Sequence, residues 1–176
     1  MRRGRYNVAA SLDGYIADMG GGFDWIPQDA AVDFAAIFAC VDTVLLGRRS
    51  FELVRQGGAL PWGPGMRVYV FSRTLRTADD PDVTVVGANA AKVVAALRAE
   101  PGDGDIWLFG GGQLFSSLLA AGQVDAVEVT VVPVLVGGGV PLAARGISRT
   151  ELRLLHTHQY PSGMVSLIYA VGSRAV

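Results

Sequence analysis

Apolar and polar positions along the chain follow two periods, and the period changes at glycine turns. Short β-rich runs predict strands over residues 5–11, 43–46, 67–72, 83–86, 105–109, 124–132, 152–159 and 164–171. In 124–132, Val127, Val129 and Val131 alternate with Glu128 and Thr130, as in a strand with one polar face. Between these runs the spacing becomes helical. Ala31, Phe34, Ala35, Ile37 and Phe38 predict a helix over 28–40, with Asp29 in its first turn, where a carboxylate suits the helix dipole. A second helix is predicted over 50–55. A third covers 90–100, opened by Asn89 as N-cap and stopped by Pro101-Gly102. Leu114, Phe115, Leu118 and Leu119 mark the face of a fourth. Tyr160-Pro161-Ser162-Gly163 joins the last two strands as a hairpin, and Gly137-Gly138-Gly139 reads as a loop.

Strand, glycine turn and helix recur early, and strands follow one another at the end. That order predicts an α/β fold: a mostly parallel central sheet flanked by helices, with an antiparallel C-terminal hairpin, in one domain over 1–176. Ligands of such sheets bind beyond the carboxyl ends of the strands. The glycine turns at Gly47 and at Gly110, Gly111 and Gly112 both fall there, on one expected rim.

Composition narrows the partners. A hydrophobic share of 51% with 18% charged residues excludes a disordered chain, and a net charge of -1 offers no general attraction to nucleic acid or anionic membrane. No apolar run approaches the ~20 residues that span a bilayer, and the basic start, Met1-Arg2-Arg3-Gly4, leads into no signal-peptide core. A cytoplasmic protein with a small-molecule partner is expected. Cys40 is the only cysteine, so no internal disulfide can form. His156 and His158 would share a strand face, but no nearby cysteine or acidic residue completes a metal site, and none is expected.

The candidate chemistry lies in the glycine turns. In Gly47-Arg48-Arg49-Ser50-Phe51-Glu52 a tight turn opens a helix with two guanidinium groups and a hydroxyl, a set of donors that suits phosphate. Ser72 and Arg73 end the next strand and would add two more donors if the strands are neighbours. An arginine-rich site of this kind favours the 2'-phosphate of NADPH over NADH. Gly110-Gly111-Gly112-Gln113-Leu114 removes three side chains where a strand becomes a helix, so a diphosphate could lie against bare amides. The alternatives are solvated arginines beside an ordinary turn and purely structural glycines; the G-x-G-x-x-G spacing of a Rossmann turn is absent.

Together these segments resemble the dihydrofolate reductase superfamily, in particular the branch similar to the reductase domain of bifunctional riboflavin-biosynthesis deaminase/reductases. The carriers, in order, are Ala9-Ala10-Ser11-Leu12-Asp13-Gly14-Tyr15-Ile16-Ala17, Trp25-Ile26-Pro27-Gln28-Asp29, Gly47-Arg48-Arg49-Ser50-Phe51-Glu52, Phe71-Ser72-Arg73 and Gly110-Gly111-Gly112. They run through nearly the whole chain. The resemblance implies a dihydrofolate-reductase-like fold with NADP(H) as cofactor. Gly47, Arg48, Arg49, Ser50, Ser72 and Arg73 would hold its adenosine half, and Gly110 to Leu114, Gln113 included, its diphosphate. Ala10, Ile16 and Trp25 would border the nicotinamide, with Trp25, Asp33 and Phe34 toward the substrate. The loop 16–24 would close as a lid, and the 127–135 region with the C-terminal hairpin would form a homodimer.

Three departures bear on the substrate. Met66 stands where folate reductases place an arginine for the glutamate tail, which argues against folate. Leu53-Val54-Arg55-Gln56 replaces the Asp-Asp-Pro stretch of the riboflavin-type reductases, and Gly110 replaces their glutamate, which argues against their ribosyl-phosphate substrate. For the proton that accompanies hydride, a carboxyl raised toward neutrality in a partly apolar pocket is required. Asp29 is the expected donor, with an exposed first-turn carboxylate as the alternative reading and Asp33 in reserve; Asp13-Gly14 is read as an ordinary turn. The expected activity is NADPH-dependent reduction of a pterin- or pyrimidine-like heterocycle. The alternatives are a stand-alone 5-amino-6-(5-phosphoribosylamino)uracil reductase and a non-catalytic NADP-binding sensor.

Overall fold

The computed structural model describes residues 1–63, 65–76 and 80–172. Its elements are β1 (Gly4–Ser11), β2 (Tyr15–Ala17), α1 (Phe34–Ala39), β3 (Val41–Gly47), α2 (Arg48–Gln56), β4 (Arg67–Phe71) and β5 (Thr84–Val86), then α3 (Ala90–Ala99), β6 (Asp105–Gly110), α4 (Gly112–Ala120), β7 (Ala126–Val132), β8 (Val140–Pro141), β9 (Leu152–Gln159) and β10 (Val165–Val171). Eight strands form one sheet in the order β5-β4-β3-β6-β1-β7-β10-β9. Every neighbouring pair from β5 to β7 is parallel. β10 runs antiparallel to both β7 and β9. This is the expected architecture. The two central strands β3 and β6 are apolar almost throughout because helices cover both of their faces.

Alternate residues of the strands feed two cores. On one face Tyr6, Leu45, Ile106, Leu108, Val127 and Val129 pack with Val94 and Leu97 of α3 and Phe115 and Leu118 of α4. The Tyr6 ring stacks on Phe115 with centroids 3.9 Å apart, and its hydroxyl donates to the Leu142 carbonyl at 2.8 Å. On the other face Val44, Leu46, Val68, Val70 and Trp107 pack with Phe51 of α2 and with Ile37 and Phe38 of α1. No residue of β1, β7 or β10 belongs to that second cluster. On that face they carry Arg5, Asn7, Ala9, Glu128, Thr130, Ser166 and Ile168, which line an open groove instead.

Local competition for backbone hydrogen bonds shortens the first helix. The expected helix over 28–40 begins only at Phe34, because the Asp33 carboxylate accepts from the Ala36 nitrogen at 2.8 Å and caps it there. Upstream, Asp29 Oδ1 accepts from the Ala31 nitrogen at 2.9 Å, which holds a turn in place of a helical first turn. Asn89 differs as well. It precedes α3 in the left-handed region, at φ 57°, and caps with its main-chain carbonyl, which accepts from Lys92 and Val93, while its side chain makes no cap bond.

A small second sheet, β2 with β8, escapes sequence reading because strands of three and two residues carry no period. It explains the glycines at 137–139. Gly139 has φ 141°, and a Cβ added to it would stand 2.1 Å from the Ala17 carbonyl oxygen, so only glycine lets the two segments meet. At the far edge β9 is exposed on both faces, with Leu152, Leu154 and Leu155 at 42%, 50% and 51% exposure. His156 and His158 share one face of it, and His158 packs edge-on against Tyr160 at 4.6 Å. Among the described residues no helix is long and apolar enough to cross a membrane.

Candidate functional site

β3 lies between β4 and β6, so three parallel strands end side by side. Gly47 is level with Phe71 and caps α2; β6 ends at Gly110, and Gly111 caps α4. The two turns nearly touch. A Cβ added to Gly47 would lie 3.8 Å from the Gly110 carbonyl oxygen, and one added to Gly110 would lie 3.1 Å from Ser50 Oγ. The Gly110-Gly111 peptide is cis. A Cβ on Gly112 would reach within 2.4 Å of the Pro141 carbonyl oxygen, so this position must be glycine for α4 to start against β8. Two helix N-termini, each with unpaired amides and a positive dipole end, therefore converge on one spot.

Positive side chains surround it. Arg48, Arg49 and Arg73 are exposed. Arg48 faces Glu52 at 3.5 Å, a pair nearly half open to solvent and worth little. Arg49 and Arg73 have no ion-pair partner among the described residues, which leaves their donors available to an anion. Ser72 is buried, and its Oγ accepts from the Leu75 nitrogen at 2.9 Å and the Thr74 nitrogen at 3.2 Å. It shapes the turn that carries Arg73.

A groove of about 2470 Å³ runs from this rim across the open face of the sheet. Small-molecule sites occupy ~300–1,000 Å³, so there is room here for a dinucleotide and a second ligand together. Gly47, Arg48, Arg49, Ser50, Ser72 and Arg73 line one side, and Gly110, Gly111, Gly112, Gln113 and Leu114 another, with Ile16, Phe34 and Asp29 further along. Three of the expected residues do not line it. Ala10 is 1% exposed, inside the first core. Trp25 donates its indole N–H to the Gly22 carbonyl at 3.3 Å, and Asp33 is spent on capping α1.

The glycine-rich loop is more ordered than a run of glycines suggests. The Asp18 carboxylate accepts from the nitrogens of Gly20 and Gly22, each at 2.8 Å, while its own nitrogen donates to the Gly22 carbonyl at 2.9 Å. Asp13 acts in the same manner: it accepts from the Ser11 hydroxyl at 2.6 Å and from the Val136 and Gly137 nitrogens at 3.1 and 2.7 Å. These bonds, that of Ser11 foremost, hold its carboxyl below the usual range.

Asp29 departs from its expected electrostatics. The Ser162 contact first, then the Ala31 nitrogen, push its carboxyl down rather than up, and it is open to solvent. In the free protein it is an anion at neutral pH, not a store of a proton.

The groove floor was not anticipated. Arg5 donates through Nε and Nη2 to the two oxygens of Glu128, at 2.6 and 2.9 Å, and through Nη1 to Asp105 at 3.3 Å. Asn7 Nδ2 donates to Glu128 Oε2 at 2.9 Å. The bond to Glu128 is the main reason the Arg5 guanidinium is held even more firmly protonated than usual. Glu128 and Asp105 are each 6% exposed, so both are buried charges that are paired. The only trace in the sequence was the polar parity of neighbouring strands: Arg5 and Asn7 in one, Glu128 and Thr130 in another.

The family model of the RibD C-terminal domain matches residues 2–166. The chain is 32% identical to the uncharacterized protein YyaP of Bacillus subtilis (strain 168), over 96% of this chain and 94% of that one. It is 28% identical to the riboflavin biosynthesis protein RibD of Mycobacterium tuberculosis (strain ATCC 25618 / H37Rv), over 77% of this chain but 43% of the relative. A solved structure from Shewanella sp. PV-4, provisionally named as a riboflavin biosynthesis protein, superposes with a TM-score of 0.83 at 27% identity, covering 97% of this chain and 99% of that one. With the converging glycine turns and the parallel sheet that carries them, the match over 2–166 shows that the chain belongs to the RibD C-terminal domain family.

Proposed function

We propose that the protein is a cytoplasmic, NADPH-dependent reductase that transfers hydride to a small pterin- or pyrimidine-like heterocycle. The observation that carries this reading is the meeting of the α2 and α4 N-termini beside Arg49 and Arg73. The residues fit the cofactor. Neither α2 nor α4 has a side-chain cap at its glycine N-cap, so their first amides are available to a diphosphate, and two arginines without ion-pair partners among the described residues suit a dianionic 2'-phosphate better than a ribose hydroxyl. When bound, the dinucleotide supplies the hydride.

The chain's own residues bind and orient. Arg48, Arg49, Arg73 and Ser50 hold the phosphomonoester; Gly110 to Leu114 receive the diphosphate; Ile16 and Phe34 give apolar walls that exclude water from the reacting ring. Most of the catalysis is positioning. Asp29 lies at the substrate end as an anchored anion, able to accept an N–H of the heterocycle. A bound ring would strip its water and work against the bonds that hold its pKa down, so proton delivery from Asp29 belongs to the complex and not to the free protein. Asp29→Asn is expected to slow turnover at least tenfold with NADPH affinity unchanged; an unaltered rate removes Asp29 from catalysis.

The names of the relatives favour a second reading, a stand-alone pyrimidine reductase of riboflavin biosynthesis. Gly110 counts against the ribosyl-phosphate substrate of that reading, because it stands where the resembling reductases carry a glutamate. Both readings share a homodimer built on β9, whose outer edge and two faces need cover. Oxidation of NADPH with candidate heterocycles separates the enzyme from a sensor that binds without turnover.

A further inference from the structure

Arg5, Asn7 and Ala9 alternate along the groove side of β1. Asn7 is level with Glu128 on β7, Ala9 is level with Thr130, and Thr130 in turn is level with Ser166 on β10. Charge on this floor is balanced: Arg3 and Arg5 face Asp105 and Glu128. No free charge is left there to attract an ionic group, yet the floor is polar along β1 and β7, with Ile168 of β10 as an apolar border beside Glu128.

The orientation of Asn7 follows from its partner. An ionised carboxylate only accepts, so Nδ2 of Asn7 must face Glu128 Oε2, and Oδ1 must point away from it. Glu128 cannot turn, since Arg5 grips both of its oxygens. No described residue hydrogen-bonds Oδ1, and no buried side-chain polar atom among them lacks a partner, so Oδ1 opens on the groove. One hydrogen of Nδ2 remains as well. Asn7 thus presents one acceptor and one donor, fixed in direction. Ala9, about 6.6 Å further along the strand, is small enough to leave space for a flat ring above it. The hydroxyls of Thr130 and Ser166 flank that space and can donate or accept.

We propose that Asn7 is a specificity-determining residue that reads the N–H and C=O edge of an uncharged lactam-type heterocycle, with Glu128 and Arg5 as the positioning residues that fix its amide. The assignment rests on the groove being the substrate compartment of the reductase described above. It adds a selection rule: rings whose lactam nitrogen is alkylated leave Asn7 Oδ1 unpaired and bind poorly.

The test uses the full chain and calorimetry in two stages. Wild type, Asn7→Leu, Asn7→Thr and Glu128→Gln are first titrated with NADPH. With NADP+ then saturating, each is titrated with pterin against 3-methylpterin and with uracil against 1,3-dimethyluracil. The expected wild-type result is at least tenfold tighter binding of the unmethylated ring. Asn7→Leu and Asn7→Thr should erase that ratio while keeping NADPH affinity within twofold, and Glu128→Gln should reduce the ratio severalfold, since a neutral amide no longer dictates which way Asn7 points. Either Asn7 variant serves if the other does not fold. Unchanged ratios in the Asn7 variants, equal binding of methylated and unmethylated rings by wild type, or binding of neither ring with NADPH binding intact all overturn the assignment alone. Absence of NADPH binding by wild type overturns the reductase reading itself and this assignment with it.

Discussion

The Ser162 main-chain nitrogen donates to the Asp29 carboxylate at 3.1 Å across 133 residues of sequence. That bond fastens the turn of the C-terminal hairpin to the loop before α1, two segments that bound one end of the groove. Because the folded state holds this carboxyl below its unfolded value of ~3.9, Asp29 adds stability above that pH and loses it as acid protonates the folded form. Thermal melts of wild type and Asp29→Asn should therefore differ at pH 6 and converge toward pH 3. A gap that stays constant over that range would show that the contact does not hold the two segments together.

The glycines of the triple turn are not equivalent. A Cβ on Gly112 would stand 2.4 Å from the Pro141 carbonyl oxygen, a backbone atom that cannot swing aside, whereas one on Gly111 meets Ser50 Oγ at 3.6 Å, an ordinary contact. Gly112→Ala should destabilise the fold by ~1–3 kcal/mol, in the range of overpacked sites, and Gly111→Ala by much less. Equal melting temperatures for the two variants would contradict the packing assigned to the start of α4.

The sheet was legible in the sequence because Val44, Leu45 and Leu46, and again Ile106, Trp107 and Leu108, are short continuous apolar runs, the pattern of strands covered on both faces. The rim of glycine turns was legible for a related reason. Gly47 and Gly110 end such runs, and the neighbouring parallel strands β3 and β6 bring them to the same edge of the sheet. The segment before α1 was not, because Asp29 and Asp33 bind nearby backbone nitrogens and break the helical period that their neighbours imply. The Arg5–Glu128 pair joins residues 123 apart, and no local pattern announces it.

Leu154 and Leu155 stand half exposed at a register shift in an edge strand, a surface that monomers avoid. Leu154→Glu with Leu155→Glu should convert the proposed homodimer to a monomer in sedimentation velocity without altering far-UV circular dichroism. A wild type that already sediments as a monomer, or a double variant that remains a dimer, would place the interface elsewhere or abolish it.

Arg49 and Arg73 lack ion-pair partners among the described residues, while Arg48 has Glu52. Each charge-assisted bond to a phosphate contributes ~1.5–3 kcal/mol, so Arg49→Ala and Arg73→Ala should each weaken NADPH by ~10–100-fold and NADH hardly at all, with Arg48→Ala in between.

Calorimetric titration of the wild-type chain with NADPH and, separately, with NADH puts the convergence of the α2 and α4 N-termini to its most direct test. The expected result is a single site for NADPH, at least tenfold tighter than for NADH, with the difference shrinking as salt is raised. No heat and no thermal stabilisation with millimolar NADPH, or equal affinity for the two dinucleotides, would contradict it.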